Sequence, residues 1–93
     1  MSPEALAKGG SKNMFFVYIL QSQLDHRYYF GFTEQAVHNR IADHNNGKTS
    51  YTSKHRPWKL IWYAGFSSPE KAKAFERYLK SGSGHAFSRK RLI

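Results

Sequence analysis

The run Met14 to Leu20 (MFFVYIL) is apolar on both of its alternating faces. That is the pattern of a strand covered on both sides, and hence central in its sheet. The polar stretch Gln21 to Arg27 reads as a connection, and Tyr28 to Thr33 (YYFGFT) as a second strand hairpinned to the first. Gly31 shares a strand face with Tyr29, so it is expected to clear room beside the Tyr29 side chain. A first helix is predicted from about Gln35 to Asn45, with Thr33 as cap and Asn46-Gly47 as stop. On it Val37, Ile41 and His44 form one stripe at helical spacing, with Arg40 at the edge.

Lys48 to Arg56 (KTSYTSKHR) reads as a polar, basic loop, and Trp58 to Phe66 as a third strand introduced by Pro57. A second helix opens with Ser68 as N-cap, Pro69 at its first position and Glu70 in its first turn. It should end near Ser81, where Gly82 and Gly84 interrupt the pattern, and His85 to Arg91 should form a short final helix. Met1 to Asn13 has no sustained apolar period and is expected to be a flexible arm outside the fold. The expectation is therefore an α+β fold in residues 14–93. Its three-stranded antiparallel sheet is flanked by helices in the order β-β-α-β-α-α.

Composition bounds the chemistry. Ninety-three residues suit one small domain, and the 16% of aromatic side chains implies a core built largely of Phe, Tyr and Trp. The absence of cysteine excludes disulfides and cysteine-based zinc sites. No apolar run approaches the roughly 20 residues of a membrane span, so no membrane partner is expected. The first residues lack the apolar stretch of a secretory signal, and a cytoplasmic location is the default expectation. The net charge of +9 is unevenly spread. Residues 48–93 carry eleven Lys and Arg against only Glu70 and Glu76. This half is the one expected to meet a polyanion, whose phosphates attract it in a salt-dependent way. Ordinary solubilising charge is the plainer alternative.

Four positions stand out chemically. Glu76 falls four residues after Ala72 and three before Leu79, at the margin of an apolar helix face. A carboxylate leaning toward a core is costly unless paired or metal-bound. The alternatives are a salt bridge, to Arg40 or another basic residue, and metal ligation. Tyr18 shares a strand face with Phe16 and Leu20, where a tyrosine is ordinarily a core residue with its hydroxyl satisfied at an edge. Arg40 is either a solvated helical arginine or a fork directed at phosphate oxygens. His44, one turn on, can reach the same place, or serve packing or capping. Two basic clusters are candidate phosphate contacts: Lys54, His55, Arg56 and Lys59, and then Lys80, Arg89, Lys90 and Arg91. Tyr51 is interleaved with the first and could stack on a base, whereas Trp58 reads as core.

The motif Phe16-Val17-Tyr18 is followed, eleven residues from tyrosine to tyrosine, by Tyr29-Phe30-Gly31, and then by Arg40, His44 and Glu76. With the stretch Glu76 to Gly84 (ERYLKSGSG), these resemble the GIY-YIG nuclease superfamily over about residues 14–93. They are most similar to its small free-standing members, and similar also to the catalytic domains of excision-repair nuclease subunits and homing endonucleases. The resemblance implies a phosphodiesterase that cuts DNA with Mg²⁺ or Mn²⁺, a role in repair or recombination, and accessory repair proteins as partners. It implies that Tyr18 acts on the attacking water, that Tyr29 positions water or phosphate, and that Arg40 stabilises charge at phosphorus. Glu76 would hold the metal, and His44 would accept a proton from Tyr18 or from water. A single carboxylate suits one hard cation with waters and substrate phosphate, and argues against a two-metal site. The chain departs from the family where Phe16 replaces the first motif glycine, where Val17 and Phe30 replace the isoleucines, and where no asparagine follows the last helix. The rival expectation is a non-catalytic nucleic-acid-binding module that keeps the fold and the basic surface.

Overall fold

The computed structural model describes residues 14–93, so the arm expected over residues 1–13 lies outside the described residues. Three strands form one antiparallel sheet: β1 (Phe15–Ser22), β2 (Tyr28–Thr33) and β3 (Trp58–Phe66), in the spatial order β2-β1-β3. The doubly apolar strand is therefore central, as its pattern requires, and both partners run antiparallel to it. A register shift between Ile19 and Leu20 in the β1–β3 ladder leaves Ile61 as the extra residue of a bulge.

Alternation along β1 divides the core in two. Val17 and Ile19 look onto α3 (Pro69–Leu79), packing with Ala72 and Leu79 and with the aromatic rings of Phe30, Phe32, Trp62, Phe66 and Phe75. Phe16, Tyr18 and Leu20 look the other way, onto α1 (Val37–Asn45), where Val37, Ile41, Leu60, Tyr63 and Trp58 close the second layer. Helix α4 (Gly82–Arg91) folds back against α3. No helix among the described residues is long and apolar enough to cross a membrane.

The observed order is β-β-α-α-β-α-α, because Ser50–Ser53 forms a short helix, α2, within the expected loop. It is held from outside itself. The Trp58 indole N–H donates to the Thr52 carbonyl at 2.8 Å, and Asn45 ties the Trp58 backbone N–H at 2.6 Å. The first helix starts later than expected, at Val37, with no side-chain cap. Thr33 ends β2 instead, and its hydroxyl accepts from the Gln35 N–H at 3.1 Å in the intervening turn. The second helix begins as expected, with Ser68 accepting from the Lys71 N–H at 3.2 Å. The last helix incorporates both glycines that were expected to precede it. Ser81 caps it, and at Gly84 a side chain would collide with the Tyr78 carbonyl, so glycine lets the two helices meet at a sharp corner.

Candidate active site

Tyr18 lies at the middle of β1, directly opposite Gly31 of the edge strand β2. A Cβ at position 31 would overlap the far end of the Tyr18 ring, its Cζ and hydroxyl oxygen. Glycine is what allows that ring to lie across β2 with its hydroxyl at the sheet edge. The space cleared by Gly31 is therefore taken by Tyr18 rather than Tyr29. Residues of one strand face are spaced along the chain, whereas antiparallel pairing sets partners side by side.

The Tyr18 hydroxyl meets His44 Nε2 at 2.8 Å, and His44 Nδ1 meets Thr52 Oγ1 at 2.8 Å. The Thr52 hydroxyl donates to the Thr49 carbonyl at 3.4 Å, which leaves its oxygen to accept Nδ1–H. That assignment makes His44 a neutral imidazole whose Nε2 accepts from Tyr18. Tyr18, His44 and Thr52 are all essentially inaccessible to water. Burial and the Arg40 charge, opposed by Asp43, pull the His44 pKa down to about 4. Burial pushes the Tyr18 phenol up to about 12, against a hydrogen bond and charge from Arg40, with Tyr29 and Glu76 adding to the rise. Both partners are consequently uncharged at neutral pH.

Tyr29 packs around this chain, with its ring 6.3 Å from Tyr18, 5.1 Å from His44 edge-on and 6.2 Å from Tyr51 in a stack. Arg40, at the edge of the α1 stripe, is half-buried and acts on the Tyr18 hydroxyl. Its guanidinium also approaches Asp43 at 3.8 Å. Asp43 takes Gln35 at 3.1 Å and Lys48 at 3.4 Å as well, and the Gln35 hydrogen bond leads in holding its carboxyl below the ordinary range.

Glu76 belongs to the opposite layer, on α3. Its carboxylate accepts from Lys80 Nζ at 3.0 Å, one helical turn on, so its basic partner is Lys80 and not Arg40. Its charge reaches the Tyr18 hydroxyl as the weakest of the named influences there. Among the described residues no group of three or more His, Asp or Glu could hold a metal. A lone half-buried carboxylate does fit a hard cation such as Mg²⁺ or Mn²⁺, which keeps several waters and takes phosphate oxygens from a substrate.

The basic candidates divide. Lys54 and Lys59 are exposed near α2 and β3, and Arg89, Lys90 and Arg91 are exposed in the last turn of α4. His55 is committed elsewhere, since its Nδ1 lies 2.7 Å from Asp25, which also takes Arg27 at 2.9 Å. Partial burial would raise the Asp25 pKa, but hydrogen bonds from His55, Ser22 and the Arg27 N–H hold it at about 2. His55 thus joins the hairpin to the segment before β3. Arg56 reaches the Asn45 carbonyl at 3.4 Å beside Gly47, and Lys80 is engaged by Glu76. Thr52, which orients His44, was not among the expected site residues. Nothing local in KTSYTSKHR separates it from its neighbours, and its role exists only because α2 folds against α1 and β3.

Comparison with known proteins identifies the family. Residues 14–90 match the model of the GIY-YIG catalytic domain. The chain is 41% identical over 66 residues to a UPF0213 protein of Streptococcus pneumoniae, covering 70% of this chain and 65% of that one. It is 36% identical over 69 residues to the UPF0213 protein YazA of Bacillus subtilis, covering 73% and 68% of the two chains. The chain thus matches about two thirds of the length of these relatives. With a match spanning nearly all of the described sheet and helices, the protein belongs to the GIY-YIG catalytic domain family, a nuclease superfamily.

Proposed function

We propose that this protein is an endonuclease that hydrolyses DNA phosphodiester bonds with a divalent cation, selects DNA by structure rather than sequence, and serves repair or recombination. The observation that carries the reading is the chain Tyr18–His44–Thr52, two 2.8 Å contacts ending in a phenol that Gly31 lets lie across the edge strand. A phenol held near 12 is a poor base alone, but one hydrogen-bonded to a neutral imidazole can pass its proton on.

As water attacks phosphorus, it gives a proton to the Tyr18 oxygen while the Tyr18 proton moves to His44 Nε2. His44 becomes an imidazolium, still donating Nδ1–H to Thr52. The new P–O bond forms as the bond to the leaving oxygen breaks, and that oxygen takes a proton from solvent. Arg40 binds the phosphate oxygens and stabilises the charge that gathers on them. Glu76 would hold the cation, which when bound supplies Lewis-acid stabilisation of the same charge. Tyr29 holds the water or phosphate in place. Lys54, Lys59, Arg89, Lys90 and Arg91 supply the backbone attraction, so binding weakens steeply with salt.

Purified protein assayed on single-stranded, duplex, flap and branched DNA with Mg²⁺ or Mn²⁺ tests this. Cleavage is expected to need the cation and to fall roughly 10²-fold or more in Tyr18→Phe. A protein that binds all four substrates and cuts none, with either cation, is a binding module instead.

A further inference from the structure

Neighbouring residues of β2 look to opposite sides of the sheet. Tyr29 and Gly31 look toward the Tyr18 hydroxyl. Tyr28 and Phe30 look the other way and, with His85, Ser88, Arg89 and Ile93, line a cavity of about 360 Å³. The His85 ring lies nearly parallel to Phe30, 5.7 Å away at 23°. Tyr28 is exposed at the rim. Ser88 is buried at the floor, and its hydroxyl has no hydrogen-bond partner, which a native structure rarely tolerates without a reason. None of the six lining residues is acidic, and Arg89 is followed by Lys90 and Arg91 on the same exposed helix end.

We propose that this cavity is a nucleotide subsite that takes one unstacked base of the strand being cut, next to the phosphodiester held at Tyr18 across β2. The proposal rests on the nuclease reading, since it supposes a nucleic-acid strand crossing the sheet edge. The chemistry of the walls selects the occupant. Aromatic surfaces bind any base through its π-face, the guanidinium of Arg89 suits the attached phosphate, and the idle Ser88 hydroxyl can pair with a base edge. The volume lies at the small end of ligand pockets, suited to a mononucleotide. A helix or a sheet edge from a protein partner would gain little from so small and basic a recess. The exposed rings of Tyr78 and Phe87 lie elsewhere, on α3 and α4, outside its lining.

The test compares two single-stranded DNA oligonucleotides, one carrying 2-aminopurine at a single position and one abasic there, by anisotropy titration of the whole chain in EDTA. The position is chosen by scanning 2-aminopurine along the oligonucleotide for quenching. The wild type is expected to quench 2-aminopurine at one position and to bind the abasic strand about tenfold more weakly. His85→Ala, at an exposed site, should weaken binding of the intact strand about tenfold and leave the abasic strand unchanged, while His85→Phe should restore the difference. Equal weakening of both strands would reduce His85 to a general contact, and no change in either, or no quenching at any position, would remove the subsite. Cleavage that depends on Tyr18 with no base-dependent binding overturns the subsite and leaves the nuclease reading intact. Base-dependent quenching without cation-dependent cleavage does the reverse.

Discussion

The two sides of the sheet handle their functional groups in opposite ways. On the α1 side, Tyr18, His44 and Thr52 are sealed from water and joined by two short hydrogen bonds, so tautomer and orientation are set in advance. On the α3 side, Glu76 is half-buried and leans on Lys80 at the C-terminal cap of its helix, a lysine that is itself exposed to solvent. Burial shifts both Tyr18 and His44 and leaves each uncharged, whereas the Glu76 carboxylate stays within reach of water. The difference fits the two roles proposed for these groups. A proton relay works only at fixed geometry, while a cation that arrives with its waters needs a ligand free to turn toward it.

The strongest way to break the comparison is Glu76→Gln. It preserves shape and removes the hard anionic ligand, so DNA affinity should hold or rise slightly while cation-dependent cleavage falls roughly 10²-fold or more. Melting temperature, affinity and cleavage on one preparation decide it. A variant that melts early yet cuts like the wild type would make Glu76 a structural partner of Lys80 and no more.

Thr52→Val sharpens the other side. Valine fills the same volume but leaves His44 Nδ1–H buried without an acceptor, a loss of about 1–3 kcal/mol of stability. Cleavage should drop further than DNA binding, because the imidazole is then free to adopt the wrong tautomer. Chemical denaturation alongside single-turnover rates would show it, and unchanged rates would mean that Thr52 does not orient the relay.

Stability should depend on pH through His44. Its folded pKa of about 4 lies below the ordinary 6.5, so the unfolded chain binds the proton first as pH falls. The contribution is fully present above pH 6.5 and is lost on descending toward pH 4. Denaturation midpoints across that window should fall with pH in the wild type and less so in His44→Gln. Parallel curves would mean that His44 is not held neutral by the fold.

The smallest effect is expected at Lys80→Met, which breaks the Glu76 ion pair at the surface. Stability should change by less than about 1 kcal/mol, since exposed i,i+4 pairs contribute little. A larger loss in thermal melts would place Glu76 among the rigid elements and erase the contrast between the two sides.

Much of this was legible along the chain. The doubly apolar run from Met14 to Leu20 has the pattern of a central strand, and Ser68-Pro69-Glu70 that of a helix start, because both are local patterns with local causes. The stripe Val37, Ile41, His44 likewise announced which side of α1 is buried. The motif tyrosines, Arg40, His44 and Glu76 could be named from the family resemblance, but their arrangement could not. Only the antiparallel register put Gly31 under the Tyr18 ring rather than beside Tyr29. Only the docking of α2 brought Thr52 to His44, and only the folded hairpin drew His55 away to Asp25. Strand and helix periodicity are properties of neighbouring residues, so the sequence by itself determines them. Hydrogen-bond partners separated by 8, 26 or 30 residues depend on how layers stack, and that is decided when the sheet and helices come together.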